Sequence, residues 1–116
     1  FKKNIKNKDI HNLLYKKNKL IGYNCIRKIK LIVKKKFKKI LIFDTLIIDK
    51  KFRKLGLSNE IMIKSTKIIK KNKNECYLVC LKKHVSYYEK FNWKKIKDKD
   101  IQSNFDKKKL LMQFKK

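Results

Sequence analysis

The 116-residue sequence has no proline and only two glycines, Gly22 and Gly56, so a glycine marks a place where the backbone has a special need of one. Long hydrophobic runs are missing too. The apolar stretches fall far short of the roughly 20 residues a membrane span requires, and the opening FKKNIKNKDI has no apolar secretory core. Those absences predict a soluble chain with no membrane partner. Phe1 is not an initiator methionine, so the N-terminal elements are expected to be truncated. Cysteine is scarce and odd in number. Cys25, Cys76 and Cys80 form no regular framework, which predicts reduced thiols and a cytoplasmic location. Cys76 and Cys80 alternate onto one strand face in ECYLVCL, but two ligands with both histidines elsewhere make a poor zinc signal. Buried thiols and no metal are expected.

Acidic residues are few, nine against 36 basic ones, for a formal charge of +27. Such a field attracts anions and raises nucleic acid as a partner. Arginine is nearly absent, however, with two residues against 34 lysines. Phosphate sites favour the arginine fork, and here the excess charge is spread along the whole chain. Lysine, asparagine and isoleucine are abundant together, as AT-rich coding sequence makes them. A non-enzymatic nucleic-acid module would also need aromatics exposed beside basic residues. Phe43, Phe91, Trp93 and Phe114 instead lie in apolar contexts that read as core.

With 42% apolar residues, the length suits one domain, 1–116, with one modest core. The stretch DIHNLLYKK predicts a short helix capped by Asp9. KLIGYNCIRKIKLIV is β-rich and is followed by a basic turn, KKKFKK. ILIFDTLII, apolar almost throughout, suits a central strand covered on both faces. From Leu57 the period changes: Leu57, Ile61, Met62, Ser65, Ile68 and Ile69 share one helical face, with Lys64, Lys67, Lys70 and Lys71 on the other. CYLVCL is the next strand, VSYYEKFNW a short helix running into a turn at Asn92, and KLLMQF a final strand.

Strand, glycine turn, helix and strand in that order form a βαβ unit, whose two strands are parallel. At the turn, FRKLGLSNEIM, the first backbone N–H groups of the helix have no partner within it and present the positive end of its dipole. Gly56 allows close backbone approach, and Ser58 adds a small side chain able to donate or cap. An anion site and a plain turn both fit this stretch. The Gly-Lys-Ser/Thr ending of a phosphate loop and the three glycines of a dinucleotide fingerprint are both absent.

RKLGLS, Arg53 to Ser58, resembles the Arg/Gln-x-x-Gly-x-Gly/Ala signature of the GNAT acetyltransferase superfamily, with Ser58 at the last small position. Downstream, VSYYEKFNW resembles that family's Phe-Tyr-x-Lys-x-Gly-Phe segment, with Asn92 in place of the glycine. The resemblance covers roughly Leu20 to Phe114. It implies an α/β (α+β) fold: a mixed, mostly antiparallel central sheet with a parallel βαβ unit and flanking helices. It implies an N-acetyltransferase using acetyl-CoA, with no metal.

By the same resemblance, the strand ending at Ile47 and Ile48 pairs with the pantetheine arm. Arg53 and the amides of Lys54, Leu55, Gly56, Leu57 and Ser58 hold the pyrophosphate. Tyr88 is the general acid for the departing thiolate, and Asp44 orients the attacking amine or its water. His84 lines the cofactor channel or acts as a base. Tyr87 and Tyr88 are adjacent on a helix and cannot face the same way, so one of them is expected in the core.

The hairpin from Leu20 to Asp49, the cysteine eight residues before Tyr88 and the ending LLMQFKK resemble the glucosamine 6-phosphate N-acetyltransferase branch. This resemblance implies an amino-sugar phosphate as acceptor, the alternative being another small amine or a protein N-terminus. It also implies a homodimer, with KLLMQF pairing with or lying against its copy.

Overall fold

The computed structural model describes residues 9–48 and 56–116, with the backbone alone at residues 45, 47 and 48. The expectations placed on Arg53, Lys54 and Leu55 lie outside the described residues. Six strands form one mixed sheet: β1 (Ile10–Lys16), β2 (Lys19–Val33), β3 (Lys36–Ile48), β4 (Cys76–Cys80), β5 (Trp93–Lys95) and β6 (Leu110–Phe114), in the order β1-β2-β3-β4-β6-β5. Every neighbouring pair is antiparallel except β3 and β4, which flank α1 (Ser58–Lys71) and run parallel. After β4 come a 3-10 turn (Lys82–His84), α2 (Val85–Glu89) and, beyond β5, α3 (Lys99–Gln102).

Residues alternate between two cores because a strand's side chains point to opposite faces. On one face Ile26, Leu41, Phe43, Cys76, Leu78 and Met112 pack against Met62 and Ile69 of α1, Val85 of α2 and Trp93. On the other, Leu31, Ile40, Ile42, Tyr77 and Leu111 pack against Ile101 of α3. From Ile40 to Phe43 the central strand is thus covered on both faces. The helical face read from the sequence is the buried one, with Ile61, Met62, Ser65 and Ile69 inside. Ser65 belongs there because it is paired: Asn12 Nδ2 donates to its Oγ at 3.2 Å, and that Oγ donates to Asn24 Oδ1 at 3.3 Å. All three cysteines are buried and free.

Several local expectations are corrected. The stretch beginning at Asp9 is β1, not a helix. An isolated two-turn helix is marginal in water, whereas pairing with β2 from Ile10↔Ile26 to Lys16↔Lys19 satisfies the backbone across a whole strand. With no helix there to cap, Asp9 is buried, with an oxygen 3.6 Å from Arg27 Nε. The basic turn shrinks to Lys34 and Lys35, both at positive φ, and Lys36 already pairs with Val33. β5 and α3 were not foreseen. Asp98 caps α3 by accepting from the backbone N–H groups of Asp100 and Ile101, both at 3.1 Å. Finally, β6 lies between β4 and β5, so both its edges are taken and it cannot extend the sheet into a second copy.

Candidate active site

The parallel pairing of β3 with β4 lasts for two residue pairs, Leu41↔Cys76 and Ile42↔Tyr77. Its closed end is pinned by Glu75. The Glu75 carbonyl accepts from Leu41 N–H at 2.8 Å, and its carboxylate pairs with Lys38 and accepts from Tyr77 Oη (3.1 Å) and Gln113 Nε2 (2.6 Å). The Lys38 bond, followed by the hydroxyl and amide donors, holds the Glu75 carboxyl below its usual range. Past Ile42 the two strands part. A cleft of about 810 Å³ opens between Phe43, Asp44 and Leu46 on one side and Leu78 to Leu81 on the other. The β2–β3 register also shifts opposite Asn24 and Cys25, where Asn24 faces Leu46 and Cys25 faces Asp44. Such an irregularity bends a strand and re-aims its side chains.

Three elements supply the polar groups of the cleft. From the β2–β3 ribbon come Asp44, half-exposed, and Arg27, whose Nη1 lies 3.4 Å from Asp44 Oδ2. Arg27 is thereby held between two carboxylates, Asp9 and Asp44. From the start of α1 comes Ser58, and from the segment after β4 come His84, Tyr87 and Tyr88. Both tyrosines line the cleft, with ring centroids 5.4 Å apart and edge to face, and both are partly buried against the core rather than one facing the cleft and the other the core. Their hydroxyls differ. Tyr87 Oη lies 2.6 Å from Ser58 Oγ and joins α2 to the head of α1. Tyr88 sits against Phe43 and Trp93, and burial, with smaller contributions from Cys80 and Tyr87, pushes its pKa up to about 12.

At the head of α1, Gly56 has φ +73°, a left-handed conformation that side chains adopt only with strain. A Cβ there would meet only Asn59 Nδ2, at 3.8 Å. Backbone conformation, rather than crowding within the described residues, is therefore what requires glycine. Leu57 occupies the N-cap with no side-chain cap bond, and Ser58, expected as a possible cap, is engaged with Tyr87 instead. Asn92 at φ 68° takes the left-handed role after α2 that a glycine would otherwise fill.

Of the residues singled out from sequence, Asp44, Ser58, His84 and Tyr88 meet on this one cleft. Gly56 and Leu57 lie immediately before it in sequence and are not among its lining residues. The backbone of Ile47 and Ile48 pairs with Tyr23 and Gly22 of β2. Among the described residues no strand pairs with the other edge of β3 beyond Ile42. Arg27, Tyr87, Phe105 and Lys109 also line the cleft and were not foreseen as site residues. Arg27 carried a signal in its rarity, being one of two arginines among 36 basic residues. Phe105 and Lys109 carried none, because a distant segment brings them in.

Among the described residues no group of three His, Cys, Asp or Glu side chains is placed to hold a metal ion, and no helix is long and apolar enough to cross a membrane. No protein-family model and no curated protein matches the sequence. Solved structures do match it. ElaA of Escherichia coli superposes with a TM-score of 0.73 at 15% identity, over 97% of this chain and 72% of that one. Arabidopsis thaliana Naa50, solved with the bisubstrate analogue CoA-Ac-MVNAL, gives 0.64 at 17% identity, over 89% and 70%. A GNAT-family acetyltransferase of Staphylococcus aureus Mu50 gives 0.64 at 17% identity, over 91% of this chain and 66% of that one. The mixed sheet with its one parallel pair among the described residues therefore has the fold of the GNAT acetyltransferases.

Proposed function

We propose that the chain is an acetyl-CoA-dependent N-acetyltransferase. The observation that carries this reading is the parting of β3 from β4, with Asp44, Ser58, His84 and Tyr88 around the opening. The residues suit the co-substrate. Among the described residues the edge of β3 beyond Ile42 is unpaired and offers backbone groups to the amides of a pantetheine arm. At the head of the 14-residue α1 the Asn59 and Glu60 N–H groups already donate to the Gly56 and Leu57 carbonyls, so the N–H groups of Gly56, Leu57 and Ser58 are the ones to hold a pyrophosphate. Bound acetyl-CoA supplies an activated acetyl thioester. The amine nitrogen forms a bond to the thioester carbonyl carbon, the carbon–sulfur bond breaks, the amine gives up a proton and the thiolate gains one.

This chain's residues align the groups and manage those protons. Alignment of two bound reactants is worth up to roughly 7–11 kcal/mol of the barrier in favourable cases. The Asp44 carboxylate, facing the cleft, holds the incoming amine or the water that takes its proton. Tyr88 keeps its proton throughout the neutral range. At a pKa of about 12 it is a weaker acid than a thiol, whose pKa is about 8.5. It therefore assists mainly by donating a hydrogen bond to the departing sulfur. Tyr88→Phe is expected to lower turnover roughly ten- to a thousand-fold, at or below the usual span for general acids, while leaving acetyl-CoA affinity intact. Tyr87→Phe frees Ser58 and is expected to change acetyl-CoA affinity rather than turnover. If neither substitution slows CoA release in a steady-state assay, Tyr88 is a packing residue and water is the acid.

For the acceptor, we infer an amino-sugar phosphate, glucosamine 6-phosphate being the first to assay. The +27 field favours a phosphorylated amine and repels a free polyamine, and Lys109 faces the cleft. A peptide N-terminus is the second reading, since Naa50 is described with a peptide-bearing CoA analogue. The acceptor pocket would be completed across a homodimer, through a face other than the edge of β6. A panel of amines assayed for CoA release separates the acceptors. Thermal stabilisation by acetyl-CoA tests the co-substrate independently.

A further inference from the structure

The β2–β3 hairpin ends in a bare sheet face. Ile32 and Phe37 are cross-strand partners on it, 60% and 77% exposed. The next pair toward the core on this face is Lys30↔Lys39, followed by Lys28↔Leu41, and all three of these lysines are exposed. Lys34 and Lys35 form the turn. No acidic residue occurs from Lys28 to Lys39. The opposite face of the same ribbon, with Leu31 and Ile40, lies under Ile101 of α3, so the hairpin is supported from behind. Phe37 is an aromatic exposed beside basic residues on a sheet, the feature the sequence had not suggested.

We propose that this face binds single-stranded nucleic acid without regard to sequence. Charge complementarity calls for a polyanion, and it disfavours a second copy of this chain, which would bring the same lysines. The ring of Phe37 stands on an open face rather than in a pocket, which suits the flat face of a base better than the knob of a peptide side chain. Base–aromatic stacking of that kind is tolerant of sequence. Lys28 and Lys30, two residues apart on β2, follow one another at about 6.6–6.8 Å along the strand, with Lys39 beside Lys30. That row of point charges suits a phosphate backbone. Lysine lacks the bidentate fork that reads guanine, so such contacts position without specifying. A bilayer fits less well, because seating the apolar pair would carry the charged Lys34 and Lys35 of the turn toward hydrocarbon.

The test is fluorescence anisotropy of a labelled oligothymidylate of about a dozen nucleotides with the full chain, over a range of salt. Phe37→Ala is expected to weaken binding about five- to hundred-fold, and Phe37→Trp to retain it. Lys30→Ala combined with Lys39→Ala should lower the slope of log K against log salt by about 1.4, two phosphates' worth for a single strand. Lys94→Ala with Lys95→Ala, on β5 at the other side of the sheet, should do much less. The proposal is overturned if Phe37→Ala binds like wild type, or if the β5 lysines matter as much as the hairpin lysines, since either result means diffuse attraction by the net charge. It is equally overturned if Phe37-dependent binding is stronger to vesicles of equal phosphatidylserine and phosphatidylcholine, or to polyglutamate, or if sedimentation finds a Phe37-dependent dimer. Acetyl-CoA stabilisation should be unchanged in Phe37→Ala, so this proposal and the acetyltransfer reading fail separately.

Discussion

The two ends of the β3–β4 junction are built from opposite materials. At the closed end, Leu41 and Cys76 are completely buried, the strands are hydrogen-bonded, and Glu75 ties β3, β4 and β6 together. A few residues further along the same two strands, the pairing has stopped and half-exposed Asp44 faces a cleft lined also by Tyr88 and His84. Closed pairing there would satisfy the backbone groups internally and leave them nothing to offer a ligand. Holding two strands apart needs a strong joint nearby, and the packed end is that joint. The division predicts that substitutions at the closed end cost stability, whereas those at the open end cost binding or turnover.

The largest expected effect is that of Leu41→Ala. The side chain is completely buried in the core shared with α1, so truncation loses its transfer free energy and leaves a cavity beside Met62 and Cys76. The expected cost is about 2–5 kcal/mol in urea denaturation, a large part of the stability of a domain this size. A cost below about 1 kcal/mol would mean that the junction yields easily and does not act as a joint.

Cys76 sharpens the same point through pH. Burial pushes its thiol from 9.0 up to about 12, so the folded chain keeps a proton that the unfolded chain gives up. Stability from this group is complete below pH 9 and declines as pH rises toward 12. By pH 11 on the order of 3 kcal/mol of it is gone. Lysine titration over the same range reduces self-repulsion and partly masks the decline. The useful measurement is therefore the stability gap between wild type and Cys76→Ala, which should narrow as pH goes from 8 to 11. A gap that stays constant would show that the thiol ionises as freely in the folded chain as in the unfolded one.

How much of this could be read in the sequence depended on how local the cause was. ILIFDTLII was legible as a buried strand because apolarity on both faces leaves few alternatives, and α1 because Ile61, Met62, Ser65 and Ile69 repeat at helical spacing. β1 misled because Ile10, Leu13 and Leu14 carry the same spacing, while its true partner lies across a turn in β2. α3 is a single turn with one buried anchor, Ile101, too short for a periodic signal. Of the cleft's residues Tyr88 stood out through its motif, as Gly56 did just before the cleft in sequence. The shared orientation of Tyr87 and Tyr88 toward the cleft did not, because the cleft lies beside the short α2 rather than along one face of it.

Glu75→Gln is expected to be milder than either core change. Its carboxyl is held below 4.5 chiefly by Lys38, so its stabilisation is present above that value and is lost as pH falls through the lower folded value. Both partners are about two-fifths exposed, which limits the effect to under about 1 kcal/mol at neutral pH. Thermal melts of wild type and Glu75→Gln should differ by a few degrees at pH 7 and converge below pH 4. Convergence at a higher pH would mean that the Lys38 pair does not hold in solution.

The smallest expected effect on stability is at the open end, where Asp44→Asn keeps the shape of the side chain and removes its charge. The ion pair it loses, to Arg27 at 3.4 Å, is between partly exposed groups, 26% for Arg27 and 44% for Asp44, and Asp9 remains beside Arg27. Exposed pairs of that kind contribute between zero and about 1 kcal/mol. Unfolding of Asp44→Asn should therefore nearly coincide with wild type. Under the acetyltransfer reading its rate of CoA release should fall, since a neutral amide holds the incoming amine, or the water that takes its proton, less well than a carboxylate. The two measurements are read together. Lost turnover with intact stability places Asp44 in the working half of the junction. A stability loss approaching that of Leu41→Ala, with activity per folded molecule unchanged, would make the Arg27–Asp44 pair part of the joint and move the boundary between the two ends beyond Leu46.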